Sequence, residues 1–115
     1  MRTYQNERIW IRFVYEVDFE ENTTIARYLV QDKATGERQE IVGITVKNPK
    51  DKDNRVIGKA IAYYKATEVL RRVVDEETFD AITNMVLNYY SRVDKILPKL
   101  IKDGYISNYN QLIAI

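Results

Sequence analysis

Cysteine and histidine are both missing from this chain of 115 residues. Their absence excludes disulfides, thiolate zinc sites, cysteine nucleophiles and every imidazole acid, base or metal ligand. Serine occurs only at Ser91 and Ser107, and neither lies in a G-x-S-x-G turn of the kind that presents a nucleophile. No window approaches the roughly 18 uncharged apolar residues of a membrane-spanning helix. The opening, MRTYQNE, has no apolar core of a secretory signal, so a cytoplasmic location is the expectation.

What is present fits one soluble domain covering residues 1–115, with 45% apolar and 30% charged residues. Abundant Ile, Val, Tyr, Lys, Arg and Glu without Cys lean towards a thermophilic source, against which several Asn count. The net charge is only +1, but it is unevenly spread. Residues 47–72 carry eight Lys or Arg against three acids, whereas residues from 73 onward carry four bases against six acids. A local basic excess of this kind is compatible with a polyanion-binding face or with a solvated helix that balances acids elsewhere.

The first half alternates with the period of a strand. In RIWIRFVYEVDF, Ile9, Ile11, Phe13, Tyr15, Val17 and Phe19 share one face, and Arg8, Trp10, Arg12, Val14, Glu16 and Asp18 share the other. ENTT supplies a turn into TIARYLVQD, where either face could point inward. DKATGE reads as a hairpin loop, with Gly36 at a position needing φ > 0. RQEIVGITVKN is the third strand, with Val42, Ile44 and Val46 expected inward and Ile41, Gly43, Thr45 and Lys47 outward. The result is an antiparallel meander of three strands, with room for a fourth.

The second half reads as helices. Asp53 or Asn54 is a candidate cap for a helix ending near Val73, and Asp75 caps the next, with Glu76 and Glu77 favoured by the helix dipole. Phe79, Ile82, Val86, Tyr89, Val93, Ile96 and Leu100 then form a stripe with three- and four-residue steps, suited to core packing or to a homodimer seam. One helix over 75–103 with Pro98 towards solvent and a break near Ser91 are both consistent with this pattern. Gly104 ends the helix, and SNYNQLIAI reads as a short terminal helix capped by Ser107. The expected architecture is α+β: the sheet covered by two long helices and a short one.

Two surfaces carry the candidate chemistry. In NPKDKDNRVIGKAIAYYKA, Gly58, Ala62 and Ala66 form a line of small residues that calls for close backbone packing, since glycine inside a helix costs about 1 kcal/mol relative to alanine. Arg55, Lys59 and Tyr63 follow one another by single turns, and with Lys47, Lys50 and Lys52 they would make a basic edge at a helix start, where phosphate is favoured. On the outer face of the first strand, Arg8, Trp10 and Arg12 alternate. Aromatic and Arg side chains on a sheet can grip single-stranded nucleic acid by stacking and phosphate neutralisation, although cover from the N-terminal residues or a helix would give Trp10 an ordinary packing role. DKDN at 51–54 lacks the Gly and distal Glu of a calcium loop, and the other acid clusters lie at turns and helix starts. No catalytic residue, metal site or cofactor is expected.

The pattern N-P-K-D followed by G-K-x-I-A, carried by Asn48, Pro49, Asp51, Gly58, Ile61, Ala62 and Ala66, resembles a strand-to-helix motif of small phage, archaeal-virus and mobile-element proteins. Those proteins often have Arg at the position of Lys59 and Gly-Arg at that of Tyr64 and Lys65. The order of strands then helices is similar to the ThermoDBP family of single-stranded-DNA-binding proteins. LPKLIKDGYISNYNQLI resembles the helical portion of ribbon-helix-helix repressors. The two surfaces lead to the expectation of a non-enzymatic protein that binds nucleic acid, single-stranded by preference, through Arg8, Trp10, Arg12 and the Lys47–Lys59 edge. The resemblance to mobile-element proteins implies the alternative, a viral or mobile-element protein that binds and inhibits a host protein.

Overall fold

The computed structural model describes residues 2–18, 20–46 and 55–104. Four strands, β1 (Arg2–Gln5), β2 (Ile9–Asp18), β3 (Thr23–Asp32) and β4 (Arg38–Val46), precede three helices, α1 (Arg55–Val73), α2 (Glu76–Tyr89) and α3 (Ser91–Lys102). The sheet is an antiparallel meander in the order β1-β2-β3-β4. The fold is α+β as expected, and the fourth strand is the N-terminal one. The expected caps at Asp53 and Asn54 and the helix after Ser107 lie outside the described residues.

Strand alternation sets the two faces of the sheet. Ile11 and Phe13 of β2, Ala26, Tyr28 and Val30 of β3 and Ile41 of β4 are buried on one face, against the helices. Gly36, at φ +75°, lets the β3–β4 hairpin turn as its sequence requires.

β4 reverses the expectation made for it. Ile41 and Gly43 face the helices, while Val42, Ile44 and Val46 are exposed on the other side. The cause is the approach of α1. A Cβ on Gly43 would overlap the Ala62 carbonyl oxygen and lie 2.6 Å from the Ala66 nitrogen, so only glycine fits there. Gly43 pairs with Ala26, and the two make a shallow floor on which α1 lies. The small residues of α1 thus have the close-packing role their spacing implied, and a Cβ on Gly58 would be 3.1 Å from Thr24 Oγ1. Ala60, Ala62, Tyr63, Ala66, Thr67 and Leu70 are fully buried, covered by the sheet on one side and by α3 on the other.

The second helical run is two helices. Tyr90, at φ −99° and ψ 63°, leaves the helical region between α2 and α3. This break turns the expected stripe out of phase: Tyr89 is half exposed, and Tyr90 instead packs its ring 4.9 Å from that of Tyr15 and 5.8 Å from that of Phe13. Phe79, Ile82, Val86, Val93, Leu97 and Leu100 lie in the core of the chain itself rather than on a seam open to a second copy. Pro98 is solvent-exposed, as its position opposite the stripe requires, and Gly104 closes α3 at φ +83°.

Candidate nucleic-acid interface

The described helices all lie on one side of the sheet, α1 against it and α3 over α1, so the other face is uncovered among the described residues. The odd–even alternation of β2 places Trp10 and Arg12 on that open face, and both are half-buried. The register puts Gln5, Trp10, Gln31 and Arg38 in one row across the four strands, and Thr3, Arg12, Leu29 and Glu40 in the next. The Arg12 guanidinium carbon lies 5.1 Å from the centre of the Trp10 ring, a cation–π distance. Its Nε is buried with no hydrogen-bond partner among the described residues.

Trp10, Arg12, Leu29, Gln31, Arg38 and Glu40 surround an open depression of about 550 Å³. Glu40 is its acid, and Arg27 already engages it at 2.7 Å while also reaching Glu16 at 3.3 Å. Arg12 and Arg38 are therefore left as the positive charges of the depression. Further along the face the character changes to apolar, with Val14, Ile25, Val42, Ile44 and Val46 around the Arg27 ion pairs.

The other expected site residues do not join this pair. Arg8 falls in the β1–β2 turn rather than on the strand, where Asn6 Oδ1 accepts hydrogen bonds from the Arg8 and Ile9 amides at 2.8 and 2.9 Å. It lines an adjoining depression with Asp32, Glu37 and Asp75, which meets the first at Val30, Arg38 and Gln39. Asp75, the cap of α2, accepts from the Thr78 amide at 2.8 Å. Hydrogen bonding from Thr78, with a smaller contribution from Arg8, holds the Asp75 carboxyl below its ordinary value.

Tyr63 is fully buried, which corrects its assignment to an anion-binding edge. One turn of helix separates it from Lys59, but α1 is covered on two sides, and Tyr63 falls on the covered part. Lys59 is on the helical side of the molecule, with its Nζ 5.5 Å from the Tyr15 ring centre, and the Tyr15 hydroxyl donates to the Lys59 carbonyl at 2.9 Å. Burial, and to a lesser degree Tyr28 and Tyr90, push the Tyr15 hydroxyl well above its ordinary value, so it remains a neutral donor. Arg55 begins α1, and Lys47, Lys50 and Lys52 lie outside the described residues.

Sequence reasoning missed Arg38, which only strand register brings beside Trp10. It also missed Arg92 of α3, which lines a depression with Lys59. Among the described residues no group of three or more His, Cys, Asp or Glu side chains converges as a metal site, and no helix is long and apolar enough to cross a membrane. In comparison with known proteins, the chain matches no family model, no curated protein and no solved structure.

Proposed function

We infer that the open face of the sheet binds single-stranded nucleic acid. The observation that carries this reading is the adjacency of Trp10 and Arg12 on the face the helices leave uncovered. An unpaired base offers a π-face that Trp10 can stack against whatever its sequence, and Arg12 and Arg38 are placed to neutralise flanking phosphates. The engagement of Glu40 by Arg27 removes the nearest repulsive charge. Binding of this type reads little sequence and weakens steeply with salt. No catalytic residue enters the mechanism.

The test is fluorescence anisotropy of labelled single-stranded and duplex oligonucleotides at two salt concentrations, with Trp10 emission followed in parallel. Salt-sensitive preference for the single strand, with quenching of Trp10, is the expected result. Absence of binding at low salt removes the reading.

A second reading rests on the row Val42, Ile44 and Val46, which are 39%, 47% and 67% exposed along β4. A row of β-branched side chains beside a strand edge is suited to docking another protein, as an inhibitor of a host protein would require. Capture of a protein partner that is lost on Ile44→Lys, with no oligonucleotide binding, would favour it.

A further inference from the structure

We propose that the helical side of the molecule holds a second, independent site, which takes the phosphate groups of a nucleic-acid strand along α3. The site starts in a depression of about 360 Å³ whose lining includes Lys59 of α1, Tyr89 and Tyr90 at the end of α2, and Ser91 and Arg92 at the start of α3. No acid is among its described lining residues. Arg2 of β1 adds a third positive charge beside it, with its guanidinium carbon 3.4 Å from the centre of the Tyr89 ring. Three cations far apart in sequence are thus gathered near one half-exposed tyrosine with no carboxylate among the described lining residues, an arrangement that favours an anion.

The row continues down α3. Arg92, Lys95, Lys99 and Lys102 are all exposed, and their spacing of three, four and three residues keeps them within about 80° of the helix circumference. From first to last they span about 15 Å at the helical rise. Both salt bridges among the described residues belong to Arg27, so no described acid forms one with this row. Val93, Leu97 and Leu100, on the opposite side of the helix, are buried in the core. A basic amphipathic helix that lies on a membrane inserts its apolar side; here that side is occupied, and only charge is offered outward. The exposed acids of α3 and its C-cap are Asp94, to one side of the row, and Asp103, one turn beyond Lys99 at its far end. Four cations in a row that starts beside Tyr89 still outnumber them and match a linear polyanion rather than a lone phosphate.

This site does not rest on the Trp10 and Arg12 reading, and variants separate the two. Binding of a labelled single-stranded oligonucleotide to the full chain would be measured across a salt series for the wild type, for Lys95→Gln/Lys99→Gln/Lys102→Gln, for Lys59→Gln/Arg92→Gln and for Trp10→Ala. Thermal unfolding would check that each variant folds, and vesicles of anionic phospholipid would serve as the competing polyanion. Removing three phosphate contacts should reduce the slope of log K against log salt by about 2 for a single strand. The Lys59/Arg92 variant should bind about tenfold more weakly at low salt, while Trp10→Ala should keep the wild-type slope. A triple variant with the wild-type slope overturns the proposal. So does binding to the vesicles without binding to the oligonucleotide.

Discussion

Gly43 of β4 lies directly beneath Ala62 of α1, so close that a methyl group on Gly43 would overlap the Ala62 carbonyl oxygen. Backbone on both sides leaves nothing flexible to move aside. Gly43→Ala should therefore cost about 3 kcal/mol, the upper end of overpacking. Gly58→Ala provides the contrast. Its new methyl would meet only the Thr24 side chain, at 3.1 Å, and the gain in helix propensity of about 1 kcal/mol offsets much of the strain. Urea unfolding of both variants should separate them clearly, with Gly58→Ala near the wild type.

This contact also explains where the sequence was readable and where it was not. The alternation in β2 is unbroken, so the placement of Trp10 and Arg12 on an outer face could be read directly. β4 offers apolar residues on both faces, and hydrophobicity alone favours the wrong one. Burial of Val42, Ile44 and Val46 would need α1 on the other side, where Gly43 could not receive Ala62. The short β1 has only Tyr4 to pack inward, too little pattern to mark a strand. Tyr63 was misplaced because helical spacing from Lys59 says nothing about a second layer covering α1. The basic row of α3 was hidden by a charge count over the whole C-terminal region, in which the acids of α2 outweigh it.

Lys65 should guard the free edge of the sheet. The Asp32 amide bonds to the Glu37 carbonyl at the hairpin, and alternation from that pair turns the Ile44 carbonyl away from β3, towards the edge that no described strand pairs. Lys65 Nζ donates to it at 2.9 Å. Exposed edges with apolar side chains invite pairing with another chain. Lys65→Met should bring concentration-dependent association, visible by sedimentation velocity, in a chain that retains its thermal stability.

The buried hydroxyls of Tyr28 and Thr67 share a hydrogen bond of 2.8 Å across the sheet–helix interface. Tyr28→Phe leaves the Thr67 hydroxyl without this partner and should cost about 1–3 kcal/mol. Tyr28→Phe/Thr67→Val removes both polar groups and should recover part of that loss. A double-mutant cycle by chemical denaturation measures the coupling. Burial also raises the Tyr28 hydroxyl above its ordinary value, so folding opposes its ionisation. Its contribution to stability should be complete below the ordinary tyrosine range and fall as pH rises above it.

Asp75 has the opposite sign. Its folded-state value is lowered, chiefly by hydrogen bonding from Thr78, so its contribution is complete above the ordinary carboxyl range and is lost as pH falls through the folded value. Asp75→Asn retains an acceptor for the Thr78 amide but has no carboxyl to titrate. Melting temperature followed through the acid range should fall less steeply for this variant than for the wild type.

The central claim is that Trp10 forms a stacking surface beside Arg12, on the face of the sheet turned away from the helices. It is tested most directly by titrating a single-stranded oligonucleotide into the wild type and Trp10→Ala at low and moderate salt, recording anisotropy for both and tryptophan emission for the wild type. The account predicts quenching of Trp10 on binding and an affinity about tenfold lower in Trp10→Ala, the loss expected for one stacked base. Binding that leaves Trp10 emission unchanged and is equally tight in Trp10→Ala would contradict it.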